Sequence, residues 1–304
     1  MFRSPAATPL TVPTAEQVPR RDRRTPYQLD QQYNARAAIP DHPEIFARWR
    51  AESSAARNYL RYQPDCQYGP SPAESLDLYR AATRNASLLV FIHGGYCRSL
   101  DKQDFSFLAP AFVQADVAVA MPNYGLAPAT SIADMVRQML RAMAWLYRNS
   151  PSLDIDARRI VVAGHSAGAH LAAMMLAADW PLWARDLPQD LLRGAVCISG
   201  IHDLQPLVHA PFLQDDLHLD DAAARILSPV RYRPKLSTPL ITAVGGAESS
   251  EFQRQNRLIR EAWPHCFHRD LPLPGRHHLA SVEALGDTGH PLFHATLRLL
   301  GKTP

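Results

Sequence analysis

The sequence predicts an α/β architecture: a mostly parallel central sheet with helices on both faces and a small cap insertion. Three observations carry this. Apolar runs such as LLVFI (88–92), VAVAM (117–121) and IVVAG (160–164) lack polar alternation, so each strand is expected to be covered on both faces. Helical periodicity recurs between such runs, as in ADMVRQMLRAMAWLYRN (133–149), and strands separated by helices pair in parallel. The 304 residues are 46% hydrophobic, enough to close around one large core.

The elements follow in order. Residues 1–25 are rich in Pro, Thr, Ala and Arg without periodicity and read as a flexible tail, leaving 26–304 as a single domain. From about Tyr27 to Tyr62 a helical stretch is expected, because Ile45, Phe46, Trp49 and Tyr59 share one amphipathic face. It is a candidate cap element: a lid over the site, or a helix packed on the sheet edge. SLDLYRA (75–81) alternates like a half-exposed strand, and LLVFI, VAVAM, the 133–149 helix and IVVAG follow. A helix then begins after Ser166. GAVCIS (194–199), PLITAVG (239–245), a helix from about Glu251 to Trp263, CFHRDL (266–271) and a last helix to about Leu300 complete the series. Residues 201–236 break the rhythm with mixed Asp, His, Leu and Pro, the natural place for a second cap element above the strand ends.

Charge and composition exclude several functions. The formal charge of +3 is accounted for by the first 24 residues, where Arg3, Arg20, Arg21, Arg23 and Arg24 face Glu16 and Asp22. A near-neutral body gives no basic footprint for nucleic acid. Cys66, Cys97, Cys197 and Cys266 form no CxxC pair and read as buried, reduced thiols; no histidine spacing suggests a metal. With no apolar core of a secretory signal and no membrane-length apolar run, the expectation is a soluble cytoplasmic protein.

The chemistry is concentrated in three places. RIVVAGHSAGAHLAAMMLAA sets Gly164, Ser166 and Gly168 as G-x-S-x-G between an apolar strand and an Ala-rich helix. A serine on such a tight turn is exposed at the carboxyl end of the sheet, beside the free N–H groups of a helix start, and is suited to nucleophilic attack. In LLVFIHGGYCRS, Gly94, Gly95 and Tyr96 directly follow a buried strand; their amides, with that of Ala167, are the expected donors to a tetrahedral oxyanion. His93 is expected to fix that loop rather than act as a base. The acid should follow the next-to-last strand and the base the last. Glu248 is preferred over Glu251, which already begins a helix, and His278 over His277. His170, His202 and His265, unpaired in spacing, are expected in core or surface roles.

With these residues in place, the chain resembles the arylformamidase (kynurenine formamidase) branch of the esterase/lipase α/β hydrolases. The resemblance runs from about Tyr33 to near the C-terminus. It rests on YNARAAIPDHPEIFARW, YGPSPAESLDLYRA, HGGYCRSLDKQDFSFLA, PNYGLAP, GHSAGAHLA, SGIHDLQPL, VGGAESSEFQRQ and PGRHHLASV. It implies Ser166 as nucleophile, Glu248 where the family usually has Asp, His278 as base, and an oxyanion loop beginning at His93. Two positions depart from the pattern: Cys97 stands where the family commonly has Trp, and His202 where Tyr is common. Both are expected to line or support the substrate pocket. The implied activity is cofactor-free hydrolysis of a small ester or aryl formamide through an acyl-enzyme. Within that class a general short-chain carboxylesterase is the alternative; from another class, a catalytically inactive binding module is opposed by the retained Ser166 and His278. No nucleic acid or membrane partner is expected, and a homodimer stays open.

Overall fold

The continuous apolar runs form the interior of an eight-stranded sheet in a computed structural model that describes residues 25–303. The expected tail therefore lies outside the described residues except for Thr25. In chain order the elements begin with α1 (Pro26–Tyr33), α2 (His42–Tyr59), β1 (Tyr62–Gln67), β2 (Ser75–Tyr79) and β3 (Ala86–Ile92). A 3-10 turn at Lys102–Leu108 leads to α3 (Ala109–Gln114), β4 (Val117–Pro122), α4 (Ile132–Asn149), β5 (Ile155–His165), α5 (Ala167–Ala177), α6 (Trp180–Trp183) and β6 (Gly194–Ile198). Then come α7 (Pro211–Leu217), α8 (Asp221–Ile226), β7 (Leu240–Gly245), α9 (Ser250–Ala262), β8 (Phe267–Leu273), α10 (His278–Glu283) and α11 (Pro291–Leu299).

The strand order is β1-β2-β4-β3-β5-β6-β7-β8, antiparallel from β1 to β4 and parallel for the rest. Alternate residues of each inner strand enter opposite cores. Leu88, Val90 and Ile92 pack with α4, α5 and α9, while Leu89 and Phe91 pack with α2, α3 and α11. Two-sided burial is why these strands read as unbroken apolar runs.

Several expectations change. β2 is buried along its whole length rather than half-exposed. Asp77, the polar residue that made it look solvated, is buried and paired with buried Lys102 at 2.8 Å. The single stretch expected over 27–62 divides into α1 and α2, and Pro40 between them removes a helix donor and disfavours helical backbone before it. The two helices take different places. α1 packs against α7 and α9 at the carboxyl end of the sheet, whereas α2 lies on a sheet face, its buried Trp49 stacked 5.4 Å from Phe107. The final helix likewise divides into α10 and α11, the second starting at Pro291 with His290 as its N-cap. β1 was not foreseen, because YQPDCQ is an exposed edge strand with no apolar run.

Candidate active site

The site is built from the carboxyl ends of β3, β5, β6, β7 and β8. β5 ends at His165, α5 begins at Ala167, and Ser166 alone makes the turn between them, with φ 56° and ψ −119°. A side chain in that region is held only by its surroundings. Glycine is required on either side of it. A Cβ on Gly164 would lie 2.2 Å from the Gly168 carbonyl oxygen, and one on Gly168 would lie 2.0 Å from that of Ile92. The Ser166 amide is bonded to the Ile198 carbonyl at 2.9 Å, which ties the turn to β6. Its hydroxyl takes no hydrogen-bond partner among the described residues.

The loops after β7 and β8 bring Glu248 and His278 together. His278 Nδ1 donates to Glu248 Oε2 at 2.6 Å, with both side chains almost wholly buried. The other carboxylate oxygen, Oε1, accepts from the Gly245 amide at 2.7 Å, from Ser281 Oγ at 2.9 Å and from Ser199 Oγ. Burial works to raise the Glu248 carboxyl, but the adjacent His278 and these donors outweigh it and hold the group below its ordinary value. Glu251 turns elsewhere, to Tyr33 and Arg254, and His277 is spent as the N-cap of α10. Among the alternatives weighed from the sequence, the geometry therefore pairs Glu248 with His278.

His165 links the base to the elbow. Its Nε2–H donates to the His278 carbonyl at 2.9 Å, and the two rings lie 4.7 Å apart. Burial, then the neighbouring His278, pushes the His165 imidazole down to about 3, so it is neutral and fixed in that tautomer. The Phe252 ring also packs on His278, with centroids 4.3 Å apart.

The loop after β3 lies against the nucleophile, since a Cβ on Gly94 would fall 3.2 Å from that of Ser166. Gly95 has φ 113°, and the Arg98 and Ser99 amides both bond back to its carbonyl at 3.1 Å. The amides of Gly94, Gly95 and Tyr96 in this loop, and that of Ala167 at the start of α5, have no acceptor among the described residues. Free N–H groups beside a serine at a helix start suit a developing oxyanion. His93 fixes the loop: its ring nitrogens lie 2.8 Å from the Gly94 carbonyl and 3.0 Å from Asn123 Oδ1, and the ring stacks on Tyr124.

Cys97 and His202 are not joined to the serine, acid or base by any contact described. Both are buried; the Cys97 thiol is pushed up to about 12 by burial, and His202 is lowered to about 3 by burial and the nearby His170. Sequence reasoning missed Ser199, Ser281, Phe252 and His165. Ser281 stands three residues after the histidine and Ser199 at a strand end, and neither position carries a motif. No group of His, Cys, Asp or Glu among the described residues could hold a metal ion.

The BD-FAE family model matches residues 76–179, the stretch holding the oxyanion loop and the elbow. A kynurenine formamidase from Danio rerio is 29% identical over 84% of this chain and 87% of its own. A crystal structure from Silicibacter sp., named there a candidate thioesterase, is 31% identical with a TM-score of 0.79, covering 87% of this chain and 97% of that one. The chain is a hydrolase of the α/β-hydrolase fold, similar over most of its length to kynurenine formamidases. Esterase LipC from Mycobacterium tuberculosis is a further relative of this hydrolase, 28% identical over 66% of the chain but only 52% of LipC.

Proposed function

We propose that Ser166, Glu248 and His278 act as nucleophile, acid and base in hydrolysing an aryl formamide of the N-formyl-kynurenine type. The observation that carries the reading is the 2.6 Å bond from His278 Nδ1 to a carboxylate anchored by three further donors, beside a serine on a strained turn. That bond orients the imidazole so that Nε2 is left to take the serine proton. Oγ attacks the formyl carbonyl, and the oxyanion loop and the Ala167 amide hold the negative oxygen. The C–N bond breaks, His278 returns the proton to the departing arylamine, and a formyl-serine remains. Water, deprotonated by the same imidazole, releases formate and regenerates Ser166.

The formamide preference is supported by the Danio rerio relative. Cys97, smaller than the Trp common in the family's loop, favours a second reading as a short-chain carboxylesterase. Purified enzyme assayed on N-formyl-kynurenine and on butyrate esters decides between them: a higher kcat/KM on the formamide is expected, and a negligible one would remove the first reading. Ser166→Ala should abolish turnover of both substrates and labelling by a fluorophosphonate probe. Retained labelling would sink the nucleophile assignment. Four free cysteines support a reducing, cytoplasmic setting for this activity.

A further inference from the structure

The YNARAAIP motif has no part in the chemistry above, yet it meets both halves of the site. Gln32 is bonded to the acid loop: its carbonyl accepts from Ser249 Oγ at 2.6 Å, and its side-chain oxygen accepts from Ser250 Oγ at 2.9 Å and from the Glu251 amide at 3.2 Å. These partners begin one residue after Glu248. Tyr33 follows, fully buried, donating its hydroxyl to Glu251 Oε2 at 2.7 Å and accepting from Gln255 Nε2 at 2.9 Å. Its backbone carbonyl accepts the hydroxyl of Tyr96, which follows Gly95 in the loop after β3. Arg36 then reaches Ser99 Oγ at 2.9 Å, and Ser99 Oγ itself donates to the Gly95 carbonyl at 3.0 Å.

A short segment near the start of the chain thus holds the oxyanion loop at two points and the acid loop at three. The loop needs such support. Tyr96 has φ 52° and Cys97 φ 59°, conformations that non-glycine residues keep only when their surroundings impose them. Glycines at 94 and 95 add no stiffness of their own. The other flank is held by α7, where Arg98 bonds the Phe212 carbonyl and pairs with Asp216, and Phe212 packs edge-on against Tyr96. α7 is in turn tied to α1, because the Phe212 amide donates to Asp30 Oδ1 at 3.2 Å.

We infer that Gln32, Tyr33 and Arg36 form a strap that positions the oxyanion loop against the acid–base pair, acting through Tyr96 and Ser99 and touching no substrate. Displacing donors by a fraction of an ångström weakens the transition state more than the bound ground state, so the loss should fall on kcat. The inference rests on Ser166 being the nucleophile, and the test separates the two. Tyr96→Phe keeps the ring against Phe212 and removes only the hydroxyl; Arg36→Met keeps the stem and removes the donor. Each should lower kcat on p-nitrophenyl acetate about tenfold with KM within about twofold, and slow fluorophosphonate labelling of Ser166 in proportion. Melting temperatures should stay close to wild type, and Tyr27→Ala, at the exposed outer end of α1, should change nothing. Full-speed labelling and turnover in both variants would overturn the strap, with the nucleophile intact. A wild-type enzyme that the probe leaves unlabelled would overturn the hydrolase mechanism and the strap together.

Discussion

Glu248 illustrates how one side chain is committed to one task. Its two oxygens accept from a histidine, two serines and a backbone amide, four donors that favour the ionised form of the carboxyl. The carboxyl is held below its ordinary value, which keeps it ionised when the pH falls and leaves the acid limb of the rate profile to another group. Glu248→Gln retains the shape but cannot stabilise an imidazolium and presents an amide donor toward the ring. A fall in kcat of roughly 10³ to 10⁴ is expected, by analogy with the same change in other triads. Steady-state kinetics over pH 6 to 9 checks it; a loss below about tenfold would remove Glu248 from the mechanism.

At the scale of elements, the elbow depends on backbone passing backbone. β3 and α5 approach so closely at Gly168 that even one methyl would sit 2.0 Å from the Ile92 carbonyl and 2.5 Å from that of His93. Gly168→Ala must therefore push the oxyanion loop off the helix. It should cost about 2 to 3 kcal/mol in urea unfolding and depress kcat as well; an unchanged midpoint would mean that the two elements can separate freely. The same elements show what was legible in advance. Buried strands, the elbow and the HGG loop are written as local runs and could be read directly. Strand order points to the two loops, and Glu248 is preferred over Glu251 because the latter begins a helix, as it does in α9. What escaped was set by distant neighbours: Asp77 looked solvent-facing because its partner Lys102 comes 25 positions later, and β1 belongs to the sheet only through its pairing with β2. The strap's role was equally hidden, since Tyr33 and Tyr96 meet by a backbone carbonyl, an atom every residue has.

For the whole molecule, the most distinctive electrostatic trait is a set of buried neutral histidines. His165 and His202 are lowered to about 3 and His170 to about 4, in each case chiefly by burial, from an ordinary value of 6.5. Between those values the unfolded chain binds protons that the native state refuses. Stability is therefore complete above pH 6.5 and declines as pH falls toward 4, with a limiting slope of about 4 kcal/mol per pH unit for three such groups. Urea midpoints measured from pH 7.5 to 4.5 should drop steeply below about pH 6. A flat profile down to pH 5 would mean that these rings gain protons in the folded state.

The bond between Tyr33 and Glu251 spans 218 positions. A ribosome threading out this polypeptide releases α1 well before α7 and α9, the surface it docks on. Until then the first helix has no berth, and its inward-facing Leu29 and Tyr33 stay open to solvent. A fragment that stops short of α9 therefore leaves α1 undocked, besides lacking His278.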